Sequence, residues 1–290
     1  MNYHSRSSTL KVPGASIYYE AQGSGPLLLI IPGGPQDAGV FSDILRLMAG
    51  RYTVVAYDPR GNSRSAFDDE AKQLKVEQQA DDAAALIGAL GGGPAHVFGT
   101  SGGAQIGLDL AARHPQLVDT LVAHEPPAIM MLPDPSEAIA SDRDLHETYL
   151  REGVDAAMAK FFAMAGLEEG GLEEEGGNGE GEKDGLPEFD MPPEAHETFA
   201  RVSGNFEYWL AHGMLPLSLY EPKVAILRKG KPRVVIGLGE QSKGQPIYEM
   251  GTVVAEKLGT EPVIFPGDHM GFEGDAEAFV ETLEKALNGR

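Results

Sequence analysis

Short runs of apolar residues alternate along most of this chain with longer segments in which apolar residues recur every three or four positions. Apolar runs bounded by Gly and Pro are typical of buried strands, whereas the longer spacing is typical of amphipathic helices. The predicted strands are Leu27–Ile31, Tyr52–Tyr57, Ala95–Phe98, Val118–Ala123, Arg233–Leu238 and Pro262–Phe265, preceded by a hairpin of Thr9–Val12 and Ser16–Ala21. The predicted helices are Val40–Met48, Val76–Leu90, Ala104–Arg113, Tyr248–Leu258 and Ala276–Leu287. This alternation predicts an α/β fold with a mostly parallel central sheet flanked by helices.

The strand pattern is interrupted between residues 129 and 227, where only helical periodicity is found. The helices predicted there are Ser136–Met164, Pro193–Ala211 and Ser218–Arg228. We therefore expect residues 1–128 and 228–290 to form one α/β core, and residues 129–227 to form an inserted helical cap.

One segment of the expected cap, residues 168–185, is rich in glutamate and glycine. It contains eight acidic residues, one lysine and seven glycines, and Leu172 is its one large apolar residue. Because so little apolar surface could be buried there, nothing would offset the entropy lost on ordering the segment, and we expect a mobile surface loop.

The composition narrows the class of partner. Asp and Glu total 44 against 23 Lys and Arg, a net charge of −21, which disfavours binding to nucleic acids or anionic membranes. The chain has no cysteine, so thiol catalysis and cysteine-ligated metals are excluded, and we expect neither a metal nor a cofactor. The chain starts with polar residues, and its apolar runs are far shorter than the ~20 residues of a membrane helix. These features predict a cytoplasmic protein. We expect its partner to be a small-molecule substrate. The oligomeric state stays open.

A candidate nucleophile lies in Gly99-Thr100-Ser101-Gly102-Gly103, between the Ala95–Phe98 strand and an apolar helix. Small residues on both sides of a serine allow the sharp strand-to-helix turn that lifts its hydroxyl off the sheet, as in the G-x-S-x-G nucleophile elbow. The same turn points the amide of Gly102 and the helix N-terminus at a developing oxyanion. A glycine-rich turn that happens to contain serine is the alternative, and the strand and helix around the motif argue against it.

Two further segments extend this candidate site. Pro32-Gly33-Gly34-Pro35 follows the first buried strand, where the amide of Gly34 could supply a second oxyanion donor. His269 lies in a glycine-rich segment after the last predicted strand, from which an imidazole could reach the serine hydroxyl as a base. The sequence has eight histidines, and we expect structural positions for the others, including His96 and His124, which lie at strand ends.

Four segments of the chain resemble signatures of the α/β-hydrolase superfamily, in its capped, proline-iminopeptidase-like branch. They are PGGP (32–35), YDPRGNSRS (57–65), GTSGGA (99–104) and PGDHMGF (266–272). Pro32 replaces the histidine that is usual in this branch, and Ser63 replaces a glycine. We expect Asp58 and Arg60 to be structural and to pair with each other beside the serine turn.

The resemblance implies an acidic residue that orients the histidine, and the usual aspartate is missing. It would follow the penultimate strand in a run such as G-E-x-D, where this chain has Ser242. Glu125 and Glu240 are the candidates, and both preserve the chain order serine, acid, histidine. Some haloalkane dehalogenases place the acid at the earlier strand end that Glu125 occupies, and we prefer Glu125 with Glu240 as the alternative.

The pattern predicts a serine hydrolase that cleaves an ester, lactone or related acyl bond of a small, apolar molecule through an acyl-enzyme on Ser101. A serine nucleophile argues against the alkyl-enzyme chemistry of relatives that use aspartate. Met130, Phe162, Trp209 and Met214 could line an apolar pocket in the cap or could pack its helices together. Two other functions stay open: a cofactor-free lyase or oxygenase in which His269 moves protons, and a non-catalytic receptor for a small molecule.

Overall fold

A computed structural model of the chain describes residues 5–165 and 192–289. The predicted loop at 168–185 lies outside these residues. No helix within the two described ranges is both long and apolar enough to span a membrane.

A single twisted sheet forms the centre of the molecule. Its strands are β1 (Arg6–Val12), β2 (Ala15–Gly23), β3 (Leu27–Ile31), β4 (Thr53–Tyr57), β5 (Ala66–Phe67), β6 (Ala95–Thr100), β7 (Val118–His124), β8 (Arg233–Gly239) and β9 (Val263–Phe265). The order across the sheet is β1-β2-β4-β3-β6-β7-β8-β9, with β5 paired to β2. The strands from β4 to β9 in this order are parallel, whereas β1, β2 and β5 pair antiparallel. The predicted, mostly parallel sheet is confirmed.

Strand β3 shows how the apolar runs place the core. All five of its side chains are buried, since both faces of the sheet are covered. Leu28 and Ile30 pack on one face, whereas Leu29 and Ile31 pack on the other. Burial of each such side chain contributes about 1.5–3 kcal/mol. A continuous apolar run is therefore expected for a strand covered by helices on both sides.

The helices of the core lie on both faces of the sheet. They are α1 (Ser42–Met48), α2 (Val76–Leu90), α3 (Gly102–Arg113), α10 (Pro246–Leu258), α11 (Gly271–Gly274) and α12 (Ala276–Leu287). Helices α2, α3 and α10 cover one face, whereas α1 and α12 cover the other.

Helices also occupy the described part of the chain between β7 and β8, and we use the name cap for residues 129–165 and 192–227 of this part. They are α4 (Ser136–Glu152), α5 (Val154–Ala165), α6 (Pro193–Gly204), α7 (Phe206–Tyr208), a π-helical turn (Trp209–Gly213), α8 (Met214–Ser218) and α9 (Val224–Leu227). The single helix predicted for 136–164 is wrong, because Gly153 adopts a φ of +90° and separates α4 from α5. The helix predicted for 218–228 is also wrong over most of its length, because α8 ends at Ser218 and the chain is helical again only in α9. Pro222, in the segment between them, cannot donate a helical hydrogen bond.

The parallel strands bring all of the candidate functional segments to one edge of the sheet. Gly33 and Gly34 follow the carboxyl end of β3, and Ser101 follows that of β6. Glu125 follows β7, Ser242 follows β8 and His269 follows β9. In open α/β sheets, ligands bind outside the carboxyl ends of the strands.

Candidate active site

Ser101 lies alone between the last residue of β6 and the first residue of α3. Its backbone has φ 53° and ψ −126°, a strained conformation for a residue with a side chain. The turn is held on both sides, because the Ser101 amide donates to the His124 carbonyl at 2.9 Å and its own carbonyl accepts from the Ala104 amide at 2.9 Å. Strain of this kind is retained in proteins chiefly at functional positions.

The glycines around Ser101 are required by close packing. A Cβ added to Gly99 would lie 2.4 Å from the Gly103 carbonyl oxygen, and one added to Gly103 would lie 2.1 Å from the Ile31 carbonyl oxygen. No side chain fits at those distances, so both positions exclude larger residues. The glycines of the motif thus allow α3 to start directly over the neighbouring strand β3.

Two backbone amides beside Ser101 could hold an oxyanion. Gly34 has a φ of +42°, and its nitrogen lies 3.3 Å from the position that a Cβ on Gly102 would occupy. Within the described ranges, neither the Gly34 amide nor the Gly102 amide donates a hydrogen bond to another residue. The neighbouring Gly33 amide, by contrast, donates to the side-chain oxygen of Gln36 at 3.0 Å.

Polar side chains hold the loop that contains Gly34, which we call the PGGP loop (residues 32–37). Asn62 donates to the carbonyl oxygens of Gly34 and Gln36 at 3.1 and 3.0 Å. From the cap, Asn205 donates to the Pro35 carbonyl at 2.8 Å. These contacts fix the peptide planes that directly follow the Gly34 amide. Sequence reasoning missed them, although Asn62 lies in one of the segments that carry the family resemblance.

Arg201 adds an ion pair between the cap and the same loop. Its Nε lies 2.6 Å from a carboxylate oxygen of Asp37, which is fully buried. Arg201 of α6 and Asn205, directly after that helix, therefore anchor the described part of the cap to the PGGP loop. Nothing in the sequence indicated this contact, because Arg201 and Asp37 are far apart along the chain.

His269 and Glu125 form a direct pair. The Nδ1 atom of His269 lies 2.7 Å from Oε2 of Glu125, and the second carboxylate oxygen accepts from the Gly239 amide at 2.8 Å. Glu125 is fully buried and has a φ of +46°. Burial alone would raise the pKa of its carboxyl, but the hydrogen bond from His269, the charge of that imidazole and the Gly239 amide lower the pKa below its usual range.

The other candidate acid does not reach His269. Glu240 begins a 3-10 turn, Glu240–Ser242, and its side chain is exposed. Ser242, at the position where an aspartate is usual, is fully buried, and its hydroxyl has no hydrogen-bond partner among the described residues. The structure thus brings Glu125, and not Glu240, to the imidazole.

Ser101 and His269 make no direct hydrogen bond to each other. Instead, each of them binds one of two consecutive residues, His124 and Glu125. Within residues 5–165 and 192–289, the Ser101 hydroxyl makes no hydrogen bond. Its backbone amide binds the carbonyl of His124, and the next residue, Glu125, binds His269. The imidazole keeps Nε2 available, because Nδ1 faces the carboxylate. Hydrogen bonds of this kind are often long without substrate and shorten when it binds.

His124 lies beneath this pair. Its ring is fully buried and stacks on the His269 ring, with 6.4 Å between the centroids. Burial lowers the pKa of His124 to about 3, an effect that His269 reinforces and Glu125 opposes. His124 therefore stays neutral at physiological pH. The charged carboxylate of Glu125 interacts with His269.

The expected pair between Asp58 and Arg60 is wrong. Asp58 is buried and binds Arg64 instead, with 2.7 Å between Oδ2 and Nε. Arg60 extends to the other side and binds Asp82 on α2 through two hydrogen bonds of 2.6 and 2.8 Å. The reason is the turn at Gly61 (φ +88°), after which Arg64 rather than Arg60 faces Asp58.

The four side chains predicted to line a pocket have different surroundings. Phe162, Trp209 and Met214 belong to one apolar cluster within the cap, together with Leu145. Trp209 also borders a narrow cavity beside Gly34, with about 10 Å³ open to a water-sized sphere. Met130 is half-buried in a 3-10 turn, Ile129–Met131, after β7. Packing within the cap thus accounts for three of the four, and Trp209 borders the cavity as well.

The chain is similar to known proteins in its sequence and in its fold. A family model described as the alpha/beta hydrolase fold matches residues 26–165. The chain is 33% identical over 285 residues to an uncharacterized hydrolase, YraK, of Bacillus subtilis (strain 168), covering 97% of this chain and 96% of that protein. It is also 32% identical over 120 residues to a 2-(acetamidomethylene)succinate hydrolase of Mesorhizobium japonicum, covering 41% and 42% of the two chains.

A solved structure extends the likeness in fold. A thermophilic esterase from Thermogutta terrifontis, with malate bound, superposes with a TM-score of 0.71 at 18% sequence identity. The match covers 100% of this chain and 99% of that one. At this level of identity the likeness concerns the fold alone.

Proposed function

The chain belongs to the α/β-hydrolase family and is a hydrolase, and on that premise we propose that it is a serine hydrolase that cleaves an ester, lactone or related acyl bond of a small molecule. Ser101 is the proposed nucleophile, His269 its base and Glu125 the acid that orients His269.

The strained turn at Ser101 is the observation that carries this proposal. A serine with a positive φ, between a buried strand and a helix N-terminus, is held there by glycines that could not be larger without collision. A structural turn would not need the serine, and glycine would relieve the strain. The conformation makes sense if the hydroxyl must stand clear of the backbone to attack a carbonyl.

In the proposed mechanism, the Ser101 hydroxyl attacks the carbonyl carbon while Nε2 of His269 takes its proton. The negative charge that forms on the carbonyl oxygen is held by the amides of Gly34 and Gly102. His269 then protonates the leaving group, and the acyl-enzyme on Ser101 remains. Water, activated by His269, attacks this ester and restores the serine.

The acid has two tasks in this scheme. Its hydrogen bond to Nδ1 keeps the His269 proton on the side away from Ser101, so that Nε2 can accept. Its negative charge then stabilises the imidazolium while His269 holds the proton. The lowered pKa of Glu125 supports both tasks, because the carboxyl stays ionised at physiological pH.

Charge and cavity shape favour a small, uncharged substrate. The net charge of −21 repels anions approaching the surface. The residues around the cavity beside Gly34 include Pro32, Leu74, Ile106 and Leu217. Such surroundings favour an uncharged group over a charged one.

The decisive test uses Ser101→Ala on a panel of p-nitrophenyl esters with short acyl chains. We expect kcat to fall by about 10⁴-fold or more, because loss of a nucleophile leaves only binding and the oxyanion amides. A fluorophosphonate probe should label the wild type at Ser101 and should not label the variant. Ser136→Ala, which changes an exposed serine of α4, is the matched control and should leave turnover and labelling unchanged.

Two results would contradict the proposal. Retained turnover in Ser101→Ala, together with its loss in His269→Ala, would favour the lyase or oxygenase alternative, in which the imidazole moves protons without an acyl-enzyme. Absence of labelling and of turnover in the wild type would favour the receptor.

A further inference from the structure

The chain contains one tryptophan, Trp209, and the fold brings it from the cap to the PGGP loop. Trp209 begins the π-helical turn Trp209–Gly213, a rare conformation that is frequent at functional sites. One side of its indole packs edge-on against Phe161, with 4.8 Å between the ring centroids. The apolar part of the ring is therefore accounted for by packing in the cap.

The nitrogen edge of the indole lies beside Gly34. A Cβ placed on Gly34 would lie 3.4 Å from Nε1 of Trp209 and 3.6 Å from Cε2. The nitrogen edge of the ring thus lies over the same glycine whose amide we assign to the oxyanion. Any side chain at position 34 would cover that edge, and the positive φ of Gly34 disfavours one as well.

The indole N–H has no partner in the described parts of the chain. Trp209 is only 6% exposed, and none of the hydrogen bonds that the structure contains there starts at its Nε1. The nitrogen is not among the enclosed polar atoms that lack a partner in the described structure, so it is open to the cavity that Trp209 borders. An acceptor that arrives with a ligand can therefore reach the N–H and replace water there.

The surroundings limit what that acceptor can be. Trp209 and Gly34 border the narrow cavity, which has room for about one water-sized group. Arg60 also borders it, but its guanidinium is neutralised by Asp82. With no free positive charge at the cavity within the described residues, a neutral oxygen is favoured over a carboxylate.

We propose that the indole N–H of Trp209 binds a neutral oxygen one or two atoms from the scissile carbonyl of the substrate, so that the enzyme prefers short acyl groups with an ether, keto or amide oxygen at that position. This inference rests on the proposed function, since it places the acyl group by the amides of Gly34 and Gly102. Trp209 acts here as a substrate-binding residue that determines specificity.

The test compares two p-nitrophenyl esters of nearly equal shape, the methoxyacetate and the butyrate, in the wild type and in Trp209→Phe. The variant keeps an aromatic ring against Phe161 and removes the N–H. We expect kcat/KM to fall about tenfold for the methoxyacetate, the equivalent of one hydrogen bond, and less than twofold for the butyrate. Phe161→Leu loosens the same packing without removing the donor, and it should affect both esters equally.

A second readout does not depend on turnover. Because the chain has one tryptophan, its indole proton gives one NMR signal. Labelling Ser101 with a methoxymethyl phosphonate should move that signal downfield, whereas a propyl phosphonate should not.

Equal losses on both esters in Trp209→Phe, or the same indole position with both phosphonates, would overturn this inference and leave the serine mechanism intact. If neither ester is hydrolysed and neither phosphonate reacts, the proposed function fails and the inference fails with it.

Discussion

The ends of strands β7 and β8 lie side by side in the sheet. A buried polar side chain follows each strand, and the two side chains differ in their hydrogen bonding. At the end of β7, the carboxylate of Glu125 is buried and fully hydrogen-bonded to His269 and the Gly239 amide. At the end of β8, Ser242 is equally buried, but its hydroxyl has no partner in the described structure. A buried polar group without a hydrogen-bond partner lowers the stability of the folded state. Each carboxylate oxygen of Glu125, by contrast, has a hydrogen-bond partner.

In the proposed mechanism, the acid can therefore come from either of two neighbouring strand ends at this edge of the sheet. Both strand ends approach the histidine segment, since the Gln241 amide donates to the Gly267 carbonyl at 2.9 Å. From the end of β7, the longer side chain of a glutamate reaches His269. From the end of the adjacent strand β8, the shorter side chain of an aspartate would be sufficient. The positive φ of Glu125 is part of this solution, because it turns the side chain toward the imidazole.

The largest effect is expected for Glu125→Gln, which keeps the shape of the side chain and removes its charge. The amide can donate to Nδ1 and so hold the wrong tautomer, and the imidazolium loses its counter-charge. We expect kcat for a reactive ester to fall by about 10³–10⁴-fold. Glu240→Gln, measured in parallel, should remain within twofold of the wild type. The reverse ranking would place the acid at the end of β8.

A smaller effect is expected from His124, which adjoins Glu125. Its pKa in the folded protein is lowered to about 3, so between pH 6.5 and pH 3 the unfolded chain binds a proton that the folded chain does not. Stability from this residue is therefore present at neutral pH and is lost as the pH falls. In His124→Phe that loss should disappear, which amounts to about 2 kcal/mol between pH 6 and pH 4.5.

Urea unfolding at several pH values measures this difference directly. The slope of unfolding free energy against pH, rather than the absolute stability, is the quantity to compare, since the new phenyl ring changes packing as well. Identical slopes in the wild type and in His124→Phe would show that the imidazole titrates normally and is not shielded beneath His269.

The smallest effect is expected for Ser242→Ala. Because the Ser242 hydroxyl has no partner, its removal should change the free energy of unfolding by less than about 1 kcal/mol, and kcat should stay within twofold of the wild type. Thermal unfolding and ester turnover measure the two quantities. A large loss of activity would mean that Ser242 takes part in the site through a contact formed only with substrate.

Much of the core was predictable because its signals are local. The apolar run Leu27–Ile31 became β3 without change, and the predicted helix Ala276–Leu287 has the same bounds in the structure. The glycines around Ser101 likewise predicted a strained turn, since close packing there leaves no room for a side chain. The cap was predicted less well, because Gly153 divides one predicted helix and the chain around Pro222 is not helical where apolar spacing predicts a helix.

The residues that hold the site depend on contacts between distant segments. Asn205 and Arg201 reach the PGGP loop from the cap, and Asp58 binds Arg64 rather than Arg60. No periodicity or motif encodes such contacts, because they depend on how the layers pack and on which way a turn directs each side chain.

The sequence was thus sufficient for the α/β architecture and for the positions of Ser101 and His269, because strand, turn and glycine patterns act over a few residues. The choice between Glu125 and Glu240 and the approach of Trp209 to Gly34 needed the folded molecule. Each depends on distances of a few ångströms between segments far apart in the chain, and those distances exist only once the sheet and its covering helices are assembled.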